Sequence, residues 1–242
     1  RFLRVSVVPD LFQVPSLWVS PRDLQGILVL DIRRNLLDRR MRAAKRLVET
    51  LLALALCVAA IPLALAIAAA IKLDSPGPVF FGHERIGQGG RKFRAWKFRT
   101  MVVDTEAVLQ RHFAEHPESR REWERERKLK DDPRITRTGH LLRRFSLDEL
   151  PQLWNVLRGE MSLVGPRPVV ADEVPKYGEA FELYTRVRPG LTGLWQVSGR
   201  NDITYAERIE LDSYYIRNWS PWLDTYILAR TAGAVLSGKG AY

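Results

Sequence analysis

Cysteine is almost absent from this 242-residue sequence, and Cys57 stands alone, so no internal disulfide can staple the fold. It lies in an apolar run and reads as a small buried side chain rather than a reactive thiol. The G-x-x-x-x-G-K-S/T loop is missing, and so are H-E-x-x-H and paired cysteines, which excludes a phosphate-loop nucleotidase and the common zinc sites. Histidine is scarce too. His112 and His116 have helical i, i+4 spacing, but the charged stretch around them reads as a solvated face. Nucleic acid is not an expected partner, because no helix-turn-helix, finger or RNA-binding aromatic motif accompanies the basic charge. A chain of this length can bury a core by apolar packing alone.

What is abundant is positive charge and one long apolar run. Lys and Arg number 38 against 28 Asp and Glu, a formal charge of +10 that calls for an anionic partner. Thr50 to Ile71 carries no charge over 22 residues. As a straight helix it would be about 33 Å long, close to the hydrocarbon thickness of a bilayer. It could span, or it could enter and return on one side, bent at Pro62, whose ring and missing N–H disrupt a helix. Basic residues flank it on both sides, Arg33 to Arg46 before and Arg85 to Arg99 after. Re-entry keeps both clusters at the anionic cytoplasmic surface, whereas spanning strands one of them, so the charge pattern favours a re-entrant helix over about 45–72.

The remaining chain suggests an α+β domain. Residues 1–40, with Val5 to Val8, Leu17 to Val19 and Gly26 to Leu30 separated by Pro9, Pro15 and Pro21, read as the tail of a preceding regulatory domain and a linker. The chain begins at Arg1 without an initiator Met and is taken as part of a longer protein. Val79 to Phe81 and Phe93 to Phe98 read as short strands around a Gly87, Gly89, Gly90 turn. Residues 104–130 form charged helix, closed by Asp131-Asp132-Pro133. A helix occupies Leu150 to Leu157. Its start is drawn either as a Ser146/Glu149 capping box or near Leu150 with Pro151 in the first turn. A further helix lies near Tyr205 to Trp219. Asn218 to Leu236 suits either the membrane interface or a core-packing helix.

Chemistry concentrates around Asp148 and Glu149. Phosphoryl transfer needs a nucleophile or base, countercharge for phosphate oxygens and usually a divalent metal. Adjacent carboxylates at a helix start point about 100° apart and can serve different partners. A bare D-E is common, but this pair stands near Arg143 and Arg144 and precedes Pro166-Arg167-Pro168. An arginine held between prolines is a stiff five-donor fork suited to phosphate. Gly159 and Gly165 allow close backbone approach there. Lys97, Arg99 and Arg188 add further cations.

The run R-R-F-S-L-D-E-L-P-Q-L-W-N-V-L-R-G-E-M-S-L-V-G-P-R-P, Arg143 to Pro168, resembles the signature of the bacterial sugar transferases, the monotopic polyprenyl-phosphate phosphoglycosyl transferases. K-F-R-T-M at Lys97 to Met101, D-P-R-I-T at Asp132 to Thr136, V-R-P-G-L-T-G-L-W-Q at Val187 to Gln196 and L-D-S-Y-Y at Leu211 to Tyr215 extend the similarity over residues 42–242. The large, multi-domain undecaprenyl-phosphate galactose or glucose phosphotransferases are the members it is most similar to.

This resemblance implies a catalytic domain over 41–242 with a proline-broken re-entrant helix, where Ile61-Pro62 replaces a frequent Ser-Pro. It implies Asp148 as nucleophile, Glu149 as ligand of Mg2+, and Arg143, Arg167 and Arg188 as phosphate or nucleotide-sugar contacts. Lys97 and Asp212 match other polar positions of the site. The implied substrates are a UDP-hexose, galactose or glucose favoured, and undecaprenyl phosphate, at the cytoplasmic face of the bacterial inner membrane, with lipids and a homodimer as further partners. Kept beside this are the same chemistry on an N-acetylated or deoxyamino sugar, and a basic membrane-associated scaffold binding an anionic polymer.

Overall fold

The computed structural model describes residues 19–24, 27–32, 35–126, 129, 131–199 and 203–237. Val5 to Val8, Pro9, Pro15 and the Arg33-Arg34 part of the basic cluster lie outside them. Within them the chain is mostly helix with three two-stranded sheets. The first sheet is the antiparallel hairpin of β1, Val19–Leu24, and β2, Ile27–Ile32.

The long apolar run forms α1, Arg39–Asp74. Asp38 caps its first turn, accepting from the amides of Arg40 and Met41 at 2.9 and 3.0 Å. Lys72 stands in the last turn, where the helix dipole favours a cation. The helix is longer than the expected 45–72 and runs through Pro62 without ending there. Proline removes only its own donor, and hydrogen bonds on either side carry the helix past it. Leu51, Leu54, Leu56, Val58, Ile61, Leu63 and Leu65 are exposed. An apolar helix bare on most of its circumference fits a helix seated in a membrane.

Both ends of α1 rest on the rest of the fold. Toward the start, Glu49 accepts from Ser162 Oγ at 2.6 and 2.8 Å and from the Val164 amide at 3.2 Å. Ala53 packs with Leu153, Val156, Met161, Tyr215, Trp219 and Ile227, the main core, which Leu36 also enters. Toward its end, Ile67 and Ile71 pack with Phe98 and Leu142. Beyond them, Asp74 accepts from the Thr138 amide at 2.8 Å.

The expected strands form a hairpin, β3, Phe80–Ile86, and β4, Lys92–Phe98, with Phe81 opposite Lys97. The charged stretch is two helices, α2, Thr105–Glu115, and α3, Pro117–Glu126; the tilted rings of His112 and His116 lie 4.8 Å apart, His112 Nε2 is 3.2 Å from Ser119 Oγ and His116 Nδ1 is 3.4 Å from Glu118. Next come α4, Arg137–Arg144, a 3-10 turn over Leu147–Glu149, and α5, Gln152–Arg158. Of the two starts drawn for this helix, the capping box does not form: the Ser146 side chain caps nothing and Pro151 directly precedes α5.

The third sheet is parallel, β5, Ser162–Val164, beside β6, Gly190–Thr192. Its crossover holds α6, Val174–Tyr177, and α7, Ala180–Thr185. Then follow α8, Leu194–Ser198, α9, Tyr205–Asn218, and α10, Pro221–Ser237. In α10 Ile227 is fully buried, as the core-packing reading expects, while Trp222 is 82% exposed.

Candidate functional site

The Asp148 turn is positioned from three sides. Gly139 in α4 lies so close to the Thr100 carbonyl that a Cβ would stand 2.1 Å from its oxygen. That contact sets α4 against the end of β4, and Arg143 Nε donates to Thr100 Oγ1 at 3.0 Å. On the other side Asn155, fully buried in α5, accepts from the Trp96 amide at 3.0 Å and donates to the Arg94 carbonyl at 2.7 Å. The segment carrying the carboxylates is thus stitched to the strand carrying Lys97. Ser146 links α4 to the turn with φ of 54°, the one non-glycine residue at positive φ among those described. Such strain persists only where the surroundings over-determine it.

Asp148 is 8% exposed and sits at the wall of a cleft of about 660 Å³. Lys97 Nζ lies 3.5 Å from its Oδ2 and 2.6 Å from Glu149 Oε1. Burial and the neighbouring Glu149 charge push the Asp148 carboxyl above the usual range, against the pull of Lys97 and Arg143. Glu149 is partly open to the cleft. Half-exposed Phe80 and Phe81 also line the cleft, with Val103, so one side of it is apolar.

Arg167 approaches from the crossover. Its turn is possible because Gly165 and Gly190 meet backbone to backbone: a Cβ on Gly190 would stand 2.1 Å from the Gly165 nitrogen. The Arg167 amide donates to Asp212 Oδ2 at 3.3 Å, and Tyr177 donates to the same oxygen at 3.1 Å. Asp212 is 1% exposed, and burial pushes its carboxyl up to about 7. It therefore holds the Arg167 backbone rather than facing the cleft. The guanidinium carbons of Arg167 and Arg208 each lie 5.3 Å from the Trp195 ring centroid, and Trp195 lines the cleft.

Asp148, Glu149, Lys97 and Arg143 therefore line one cleft, with Arg167 beside it. Arg188 does not join them. It lines a second pocket with Arg42, Arg46 and Glu49, because the Pro189-Gly190 turn that follows it enters β6 on the α1 side of the core. Arg99 also lines the Asp148 cleft, but its terminal nitrogens are committed to structure, donating to the Ser75 carbonyl at 2.7 Å and to the Pro76 carbonyl. The Arg134 guanidinium is committed as well, gripping Asp132 through Nε and Nη2 at 2.8 and 2.6 Å.

Two residues that matter to this site escaped the sequence reading, Arg85 in the cleft and Asn155 buried behind it. Arg85 donates to the Pro168 carbonyl at 3.1 Å and to His83 Nδ1 at 3.2 Å, and both residues line the cleft. On a basic hairpin nothing local separates Arg85 from its neighbours. Asn155 had a signal, an amide inside the apolar L-W-N-V-L.

Comparison with known proteins places this arrangement. The chain is 45% identical over 240 residues to the UDP-galactose-lipid carrier transferase of Erwinia amylovora, covering 98% of this chain and 50% of that protein. It is 49% identical over 199 residues to the exopolysaccharide production protein ExoY of Sinorhizobium fredii, covering 82% of this chain and 88% of that one. The undecaprenyl-phosphate galactose phosphotransferase of Salmonella typhimurium is 46% identical over 216 residues, 89% of this chain and 45% of the relative. The chain thus spans about half the length of the first and third of these relatives. The family model described as bacterial sugar transferase matches residues 40–238, and the chain belongs to that family.

Proposed function

We propose that this chain transfers hexose-1-phosphate from a UDP-hexose to undecaprenyl phosphate, giving undecaprenyl-diphosphate hexose and UMP, as the first membrane step of surface polysaccharide synthesis. Galactose is favoured as the hexose, with glucose next, because two of the relatives above carry galactose in their names. The observation that carries the reading is a buried carboxylate, Asp148, held 3.5 Å from Lys97 in a cleft that is basic on one wall and apolar on another. A diphosphate and a lipid phosphate need that pairing.

An Asp148 carboxylate oxygen attacks the sugar-bearing phosphorus, a P–O bond forms, and the bond to the UMP oxygen breaks with its electron pair leaving on UMP. A phosphate oxygen of undecaprenyl phosphate then attacks the same phosphorus and expels the carboxylate. Lys97, Arg143 and Arg167 offset the negative charge that two anions bring together. Mg2+ fits the donor set: Asp148 and Glu149 offer hard oxygens that already share one cation, Lys97, and Mg2+ typically takes one or two carboxylates and completes its shell with water and phosphate. Glu149, the more open of the two, would hold it, and the ion would supply Lewis-acid countercharge to the diphosphate.

The seating of α1 supports re-entry on one side of the membrane, and the basic clusters flanking the apolar run favour the cytoplasmic side. Glu49 and Asp74 are 25 residues apart, roughly 38 Å on a straight helix and more than the hydrocarbon thickness, yet both are held by the same body of helices and strands. Pro62 lies between them, where a bend would keep both ends on one side. The boundary drawn at residue 40, with 1–40 as a regulatory tail, belongs to the same proposal.

UMP release from a panel of UDP-hexoses, with Mg2+ and undecaprenyl phosphate, tests the reaction. Equal release by D148N protein would remove Asp148 as nucleophile, and a sugar other than galactose or glucose giving the highest kcat/KM would overturn the substrate.

A further inference from the structure

The molecule has a second basic pocket, of about 270 Å³, sharing no lining residue with the Asp148 cleft. Arg39, Arg42, Lys45 and Arg46 bring four cations to it from the first two turns of α1, and Arg188 brings a fifth from the segment before β6. The only carboxylate in its lining is Glu49.

That carboxylate is already committed. Glu49 accepts from Ser162 Oγ and the Val164 amide, and Lys45 Nζ lies 2.8 Å away. Lys45 in turn pairs with Asp224. Arg46 spends its guanidinium on the Val156 and Leu157 carbonyls, the open C-terminal end of α5. Arg39, Arg42 and Arg188 are left with no carboxylate in salt-bridge range among the described residues. Arg188 is half-buried, and burial together with the charges of Arg46 and Arg42 depresses its pKa. Half-burying an arginine against other arginines is costly unless an anion sits among them.

The position of the pocket identifies the anion. Its α1 residues end at Glu49, and the uncharged run begins at Thr50, so the pocket lies where the helix enters the apolar layer, at headgroup level. We propose that Arg39, Arg42 and Arg188 bind the phosphate of an anionic membrane lipid headgroup, anchoring the start of α1 at a site separate from the reaction cleft. The proposal rests on α1 being seated in the bilayer but not on the transfer chemistry.

The test uses the full chain in nanodiscs of phosphatidylcholine with or without phosphatidylglycerol, reading retained lipid by native mass spectrometry and melting temperature. Wild type is expected to keep a phosphatidylglycerol molecule and melt higher in its presence, and D148N protein to do the same. R42Q/R188Q protein is expected to bind that lipid about 30-fold more weakly, the two lost basic residues each contributing on the order of 1 kcal/mol near an anionic surface. R39Q/R42Q protein, altered only on the outer turns of α1, carries the test if the first pair fails to fold. Equal retention by the variants would overturn the site. Displacement of the lipid by millimolar inorganic phosphate would overturn the lipid assignment in favour of a soluble phosphate. Melting of all proteins alike in phosphatidylcholine alone, with α1 protected from exchange, reports membrane seating independently, and UMP release reports the chemistry.

Discussion

Arg167 and Arg188 stand in similar sequence settings, each followed by a proline, yet the fold sends them to different pockets. Arg167 is delivered beside the Asp148 cleft by a turn whose amide is tied to Asp212. Arg188 faces Arg42 and Arg46 across the start of α1. The first pocket sets cations against two carboxylates that face its cleft, and the second gathers cations around one carboxylate that is already satisfied. Local stiffness of an arginine therefore says that it is presented, while the partner it meets is decided by which side of the core its segment crosses.

The sharpest break between the two pockets comes from their charges. D148N protein should lose at least about 10⁴-fold in UMP release, the scale of removing a nucleophile, and R167Q should cost at least tenfold more than R188Q. Equal losses at the two arginines would restore Arg188 to the reaction site. Next is K97M, expected to cost about 10²- to 10³-fold, as for loss of one electrostatic stabiliser. Because Lys97 pulls the Asp148 pKa down, the acid limb of kcat/KM against pH should also move to higher pH in K97M. An unmoved limb would mean that Asp148 does not set it.

Asp212 gives a smaller, pH-dependent handle on the Arg167 side. Its folded pKa, about 7, lies above the value near 3.9 of a free aspartate. The native state therefore binds the proton more tightly. The stability this contributes is complete below about pH 4 and is lost as pH rises through about 7, by on the order of a few kcal/mol. Urea melts of D212N protein should lack that decline between pH 4 and 7, while melts of R188Q protein should retain it. The smallest effect is expected at Ser146, where φ is 54°. S146G should raise stability by up to about 1 kcal/mol, since glycine accepts that conformation without strain, and a loss on thermal melting would show that the Ser146 side chain is needed.

Some of this was legible along the chain. The apolar run, the β3 to β4 hairpin and the helix after Pro151 each announce themselves through local chemistry: absence of charge, a glycine turn between apolar and basic strands, and a proline that fits only a first turn. Asp148, Glu149, Lys97 and Arg143 were likewise readable from motif spacing, and the fold brings them to one cleft. Arg85 was not, since its role depends on the Pro168 carbonyl 83 residues away. Nor was the commitment of Arg99 to the turn after α1 or of Arg134 to Asp132, because a guanidinium looks the same whether it waits for phosphate or holds a carbonyl.

The sequence by itself determined that one long segment is uncharged and apolar, that the chain is rich in cations and that two adjacent carboxylates stand at a helix start. These follow from side-chain chemistry and short-range periodicity, which need no knowledge of what lies across the core. Only the tertiary structure decided that Arg188 lies outside the Asp148 cleft, that both ends of α1 rest on one body and that buried Asp212 accepts from the Arg167 amide and Tyr177. Those facts depend on long-range packing, where close approaches at Gly139 and Gly165 fix which distant groups can meet.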